Sequence, residues 1–154
     1  MRNRDLATDH VRRAEARLRA LDVLFDAESW ADVVRESQEV VELALKGLLR
    51  AVGIEPPGIH DVADVIEAER DRIPEPLRPD IPQLAAASRS LRRDRELAFY
   101  GAEDLTPSDF YRKGDATDAR ESARLVVKLV RPHVLVGTTA RAMRQTPGTG
   151  PGWS

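Results

Sequence analysis

The feature that most constrains this chain is a stripe of apolar and small residues at Trp30, Val33, Val34, Ser37, Val41, Ala44, Leu45, Leu48 and Val52, spaced by threes and fours. That period is one face of an α-helix, and a stripe so long has to be covered by other helices. Ser29 and Asp32 resemble a capping box at its start. Gly53 suits a left-handed C-cap, and Pro56 and Pro57 forbid resumption. A central helix over 30–52 is predicted, with Trp30 in the core or at an interface.

The covering elements carry the same signature. Val11, Ala14, Leu18, Leu21 and Phe25 mark a helix over 6–25 whose other faces bear Arg12, Arg13, Glu15, Arg17 and Arg19. A shorter helix over 61–72 follows, with Asp61 as N-cap and His60 fixing the turn before it. Pro74, Pro76, Pro79 and Pro82 predict a stiff, extended segment. Asp80 with Gln83 then opens a fourth helix reaching Tyr100. A polar loop over 101–114 includes a brief turn at Thr106 to Asp109, and Phe110 and Tyr111 pin it to the bundle. Asp115 caps a fifth helix that ends or kinks at Pro132. The expected fold is an all-α, antiparallel bundle of four to five helices over residues 1–136, with 137–154 a flexible tail.

Composition narrows the function classes. The chain of 154 residues contains no cysteine, which excludes disulfides, thiolate zinc sites and a thiol nucleophile. His10, His60 and His133 show no HxxxH or HExxH spacing, so neither a metal nor a cofactor is expected. A formal charge of −2 provides no global field for polyanions, so any such binding needs a local patch. No run approaches a membrane span and no hydrophobic signal region opens the sequence, so a cytoplasmic protein is expected.

The fourth helix holds the one discordant residue. Leu84, Ser88, Leu91, Arg95 and Ala98 share a face, so the spacing that buries the leucines carries Arg95 inward. A guanidinium there needs a carboxylate, a carbonyl, a phosphate or a wet cleft. Two readings follow: an internal ion pair or snorkelling side chain, or an anion site built from Arg95, Glu96 and Tyr100. Arg89, Arg92 and Arg93 make the same helix a basic ridge, which is where a phosphate is expected.

Two stretches carry a family resemblance. ESQEVVELALKGLLRAVGIEPPGIHDVADVI, an amphipathic helix followed by a proline turn and a histidine, resembles the second helix and turn of HEPN domains. RDRELAFYGAEDLTPSDFY resembles that family's last motif, and the likeness spans about Leu6 to Val130. Many members carry an Arg, four to six intervening residues and a His, and act as metal-independent ribonucleases. By that resemblance Arg95 takes the arginine position, Glu96 the polar one and Tyr100 the place of the histidine. The resemblance also implies a homodimer with a shared cleft and pairing with a minimal nucleotidyltransferase as toxin and antitoxin. The tyrosine that some partners modify corresponds here to Ala102.

Tyrosine for histidine alters the chemistry. Cleavage needs a base at the ribose 2′-hydroxyl and a cation facing the phosphoryl charge. A phenol of pKa ~10 is ionised in about one molecule in a thousand at neutral pH, a handicap on the order of 4 kcal/mol for a base. The expectation is a nucleotide- or RNA-binding component, using Arg92, Arg93, Arg95 and Tyr100, with altered or lost ribonuclease activity. An active ribonuclease toxin using Arg95, Glu96 and Tyr100, and a non-catalytic helical adaptor, are the alternatives.

Overall fold

A computed structural model describes the backbone of residues 2–58, 61–100 and 110–145 and the side chains of residues 3–58, 61–92 and 110–135. The chain folds as an all-α bundle, and no strand occurs among the described residues. Its helices are α1 (Arg2–Asp26), α2 (Trp30–Ala51), α3 (Val62–Ala68), α4 (Ile81–Tyr100) and α5 (Lys113–Gln145). None of the described helices is long and apolar enough to cross a membrane.

The central position of α2 explains its sequence. It packs against α1, α5 and α4. The predicted stripe is buried at Val33, Val34, Ser37, Val41, Ala44, Leu45 and Leu48, and burial extends to Val40, Gly47 and Leu49 on the side that meets its neighbours. Each fully buried leucine among these contributes about 1.5–3 kcal/mol relative to exposure.

α1 and α2 form a helical hairpin whose turn uses a Schellman arrangement. Glu28 N–H donates to Phe25 O at 2.9 Å, Ser29 N–H donates to Leu24 O at 3.0 Å, and Glu28 sits at φ 57. The same device ends α2: Gly53 N–H donates to Arg50 O, Ile54 N–H donates to Leu49 O at 2.8 Å, and Gly53 has φ 79. Gly53 is thus the predicted C-cap, while Glu28 adopts the left-handed region without a glycine's freedom. The expected capping box at Ser29 is not formed. Its hydroxyl donates to Asp32 Oδ2 at 2.6 Å and caps no backbone N–H, because the tight turn aims it at the carboxylate instead.

Asp61 caps α3 as predicted, its Oδ1 accepting from Ala63 N–H at 3.0 Å. α3 ends at Ala68, and Arg70–Arg72 form a 3₁₀ turn in place of the longer helix expected. The proline segment is also not extended. Glu75–Asp80 is 3₁₀ and runs directly into α4, because proline's fixed φ suits tight helical turns as well as extended chain. Arg78 ties this segment down by donating to Ile73 O at 2.9 Å and Asp71 O at 2.8 Å.

Asp115 acts at the start of α5 from inside it, its Oδ2 accepting from Arg112 N–H at 2.9 Å. The helix does not end at Pro132; it continues to Gln145. Pro132 is exposed, while Val130, Val134 and Leu135 are buried on either side, so packing holds the helix across one missing N–H. Tyr111 is buried as expected, whereas Phe110 stays 38% exposed with its ring edge-on to Tyr111. Trp30 packs edge-on to Phe25 at 5.0 Å, and the Arg120 guanidinium lies 3.7 Å from the Phe25 ring centre.

One crossing carries a pH prediction. His10, on α1 near α2, has a buried Nδ1 without a hydrogen-bond partner. Desolvation first, then the charges of Arg50 and Arg13, hold its pKa below 6.5. A histidine depressed in the folded state makes its full contribution above the unfolded pKa, and that contribution is lost as pH falls through the folded value. Thermal stability should therefore decline as pH drops below about 6.5. Melting curves between pH 7.5 and 5 should show a shallower decline for His10→Gln; an identical decline would refute the assignment.

Candidate functional site

α4 is where the expected anion site stands, and its buried stripe begins as predicted with Leu84, Ser88 and Leu91. Its backbone stays helical to Tyr100, so register position 95 continues that stripe. Positions 89, 93, 96 and 100 fall on the nearly opposite face of the helix, with 92 between the two. The side chains of Arg93, Arg95, Glu96 and Tyr100, the loop over 101–109 with its expected turn, and His60 all lie outside the described residues.

The described part of the ridge is not a free cationic surface. Arg89 donates from Nη1 to Glu67 Oε2 at 3.1 Å and from Nη2 to Glu67 Oε1 at 2.5 Å, and Nη2 also bonds the Asp64 carboxylate. Arg92 Nη1 lies 3.9 Å from Asp61 Oδ1. The hydrogen bond from Arg89 holds the Glu67 carboxyl below the usual carboxylate range, and the Glu67 and Asp64 carboxylates push the Arg89 pKa upward. Asp61 therefore both caps α3 and faces α4.

This arrangement is one the sequence reading missed, although a signal was present. Asp61, Asp64 and Glu67 recur every third residue, as do Arg89 and Arg92. Two helices with matched three-residue spacing can align opposite charges in sequence along their contact. Val62, Ala63 and Ile66 anchor the other face of α3 in the core, which fixes the carboxylates toward α4.

Other polar clusters are structural. Asp22 accepts from Arg120 Nη1 at 3.2 Å and Arg124 Nη2 at 2.9 Å, and Glu15 accepts from Arg131 Nε at 3.0 Å, joining α1 to α5. An open groove of about 400 Å³ between α1 and α2 is lined by Arg17, Leu24, Asp32, Arg35, Glu36 and Glu39. Its Arg17 is held by Glu36 at 2.7 Å, so it offers little net attraction to an anion. Among the described residues no group of three histidines or carboxylates is placed to hold a metal ion. A family model, that of the HEPN domain, matches residues 7–133. No curated protein and no solved structure matches the chain.

Proposed function

The chain belongs to the HEPN domain family, and from that premise we propose that it binds the phosphates of a nucleotide or RNA at the C-terminal end of α4. Membership itself carries a nucleotide- or RNA-related role in general terms. In the proposed reading Arg95 is the principal phosphate ligand, Arg92 and Arg93 flank it, and Tyr100 donates its phenol hydrogen bond. Ribonuclease activity is altered or lost because a phenol replaces the imidazole. The protein acts in the cytoplasm as a homodimer with a shared cleft, paired with a minimal nucleotidyltransferase of the toxin–antitoxin type.

The observation that supports this most is the unbroken helix from Ile81 to Tyr100, whose buried register at Leu84, Ser88 and Leu91 leads to position 95. An arginine at such a register needs an anionic or wet partner. The adaptor reading has one specific observation in its favour: Arg89 is already satisfied by Asp64 and Glu67.

Titration calorimetry and cleavage assays with structured and single-stranded RNA decide among these. Arg95→Ala is expected to weaken RNA or nucleotide binding about 10- to 100-fold, the value of a charge-assisted contact of roughly 1.5–3 kcal/mol. Strong metal-independent cleavage by the wild type that disappears in Arg95→Ala would overturn the loss of activity. No heat with either ligand at high concentration would leave the adaptor.

A further inference from the structure

The ridge on α4 is divided. Its N-terminal half, Arg89 and Arg92, faces Asp61, Asp64 and Glu67, so among the described residues three carboxylates meet two guanidiniums there. Positions 89 and 95 are separated by about 9 Å along the helix axis and by about a third of a turn around it, with 92 between them. A nucleic-acid strand held at Arg95 and wrapping up α4 past Arg92 would place a different phosphate beside Arg89. It would meet carboxylates already seated on that guanidinium, in the geometry a phosphate would use.

We propose that the carboxylates of α3 mark the edge of the anion site on α4, holding Arg89 and Arg92 so that the site takes a nucleotide or a short single-stranded RNA end and disfavours a longer backbone running up the helix. Asp64 and Glu67 are thus residues that set how many phosphates the protein can neutralise. The inference rests on the reading of Arg95 as a phosphate ligand. The fork between Arg89 and Glu67 is bidentate and exposed, so a competing polyanion has access to it.

The test is fluorescence anisotropy of a labelled oligouridylate long enough to span α4, measured across a range of salt concentrations. In Asp64→Asn/Glu67→Gln, Arg89 gains one phosphate, which for a single strand steepens the log–log salt slope by about 0.7 and tightens binding about fivefold near 0.1 M salt. Adding Arg89→Ala to that variant should return the slope to the wild-type value. Asp9→Asn/Asp26→Asn, which removes the same charge from exposed positions of α1, should leave the slope unchanged. Should the double substitution unfold α3, Glu67→Gln alone opens the fork and is read the same way.

An unchanged slope in Asp64→Asn/Glu67→Gln overturns the inference, as does a gain that persists without Arg89 or appears equally in the α1 control. If Arg95→Ala weakens wild-type binding while Asp64→Asn/Glu67→Gln changes nothing, the phosphate site stands and its proposed edge falls. RNA binding by the double variant alone supports the edge in its strongest form. Binding by neither protein removes both readings.

Discussion

Gly47→Leu is expected to destabilise the fold by about 3 kcal/mol, lowering the melting temperature by roughly 10 °C. Gly47 lies four residues before the end of α2, where α1 packs closely against it. A Cβ there would stand 2.8 Å from Val11 Cγ2 and 3.1 Å from Ala7 O. Val11 is fully buried and its branched side chain has one favoured rotamer in a helix, so it cannot swing aside. The carbonyl of Ala7 belongs to α1 itself and moves only with the helix. Any side chain at 47 must therefore push α1 outward and loosen the hairpin.

Glycine in a helix interior costs about 1 kcal/mol relative to alanine, so intrinsic propensity favours the substitution. Packing is expected to win: overfilling a close-packed contact costs roughly 1–3 kcal/mol for small additions. Gly47→Ala should then be mildly destabilising and Gly47→Leu strongly so. In a Val11→Ala background the added cost of Gly47→Ala should shrink, since the atom that is struck is gone. Chemical denaturation with a two-state fit measures these variants together with Val11→Ala alone. A Gly47→Ala variant more stable than wild type would show that α1 yields freely.

Tyr100→His carries the largest expected functional effect. At neutral pH the phenol is ionised in about one molecule in a thousand, whereas an unperturbed imidazole near pKa 6.5 is mostly the free base. If position 100 faces the ribose 2′-hydroxyl beside Arg95, the substitution should raise metal-independent RNA cleavage by as much as ~1000-fold. The rate should climb with pH up to about 6.5 and then level, as expected of a histidine base. Single-turnover cleavage with Tyr100→His, and with Tyr100→His/Arg95→Ala as the blank, measures this. No gain in a variant that still binds RNA would show that position 100 lies away from the reacting oxygen.

How far the sequence can be read here depends on whether a signal is local. The stripe of α2, the C-cap at Gly53, the cap at Asp61 and the buried face of α4 from Leu84 to Leu91 are each written in a few neighbouring residues. The left-handed Glu28 carries no such mark, because glutamate does not advertise that conformation. The 3₁₀ path of Glu75–Asp80 is hidden by prolines that fit both extended and tight helical backbone. Pro132 has the local mark of a boundary, yet buried neighbours on both sides, packed against other helices, keep α5 whole.

The site divides along the same line. That position 95 shares a helix face with Leu84, Ser88 and Leu91 follows from helical periodicity alone, so the sequence determined that register together with the class of fold and the arginines available. Which arginines were already occupied was decided by tertiary structure. Asp64 and Glu67 lie more than twenty residues from Arg89 in sequence, and only the docking of α3 on α4 brings their charges together. Periodicity fixes the direction in which a side chain points from its own helix; the partner it meets depends on the helix packed opposite, and Coulomb attraction acts through space.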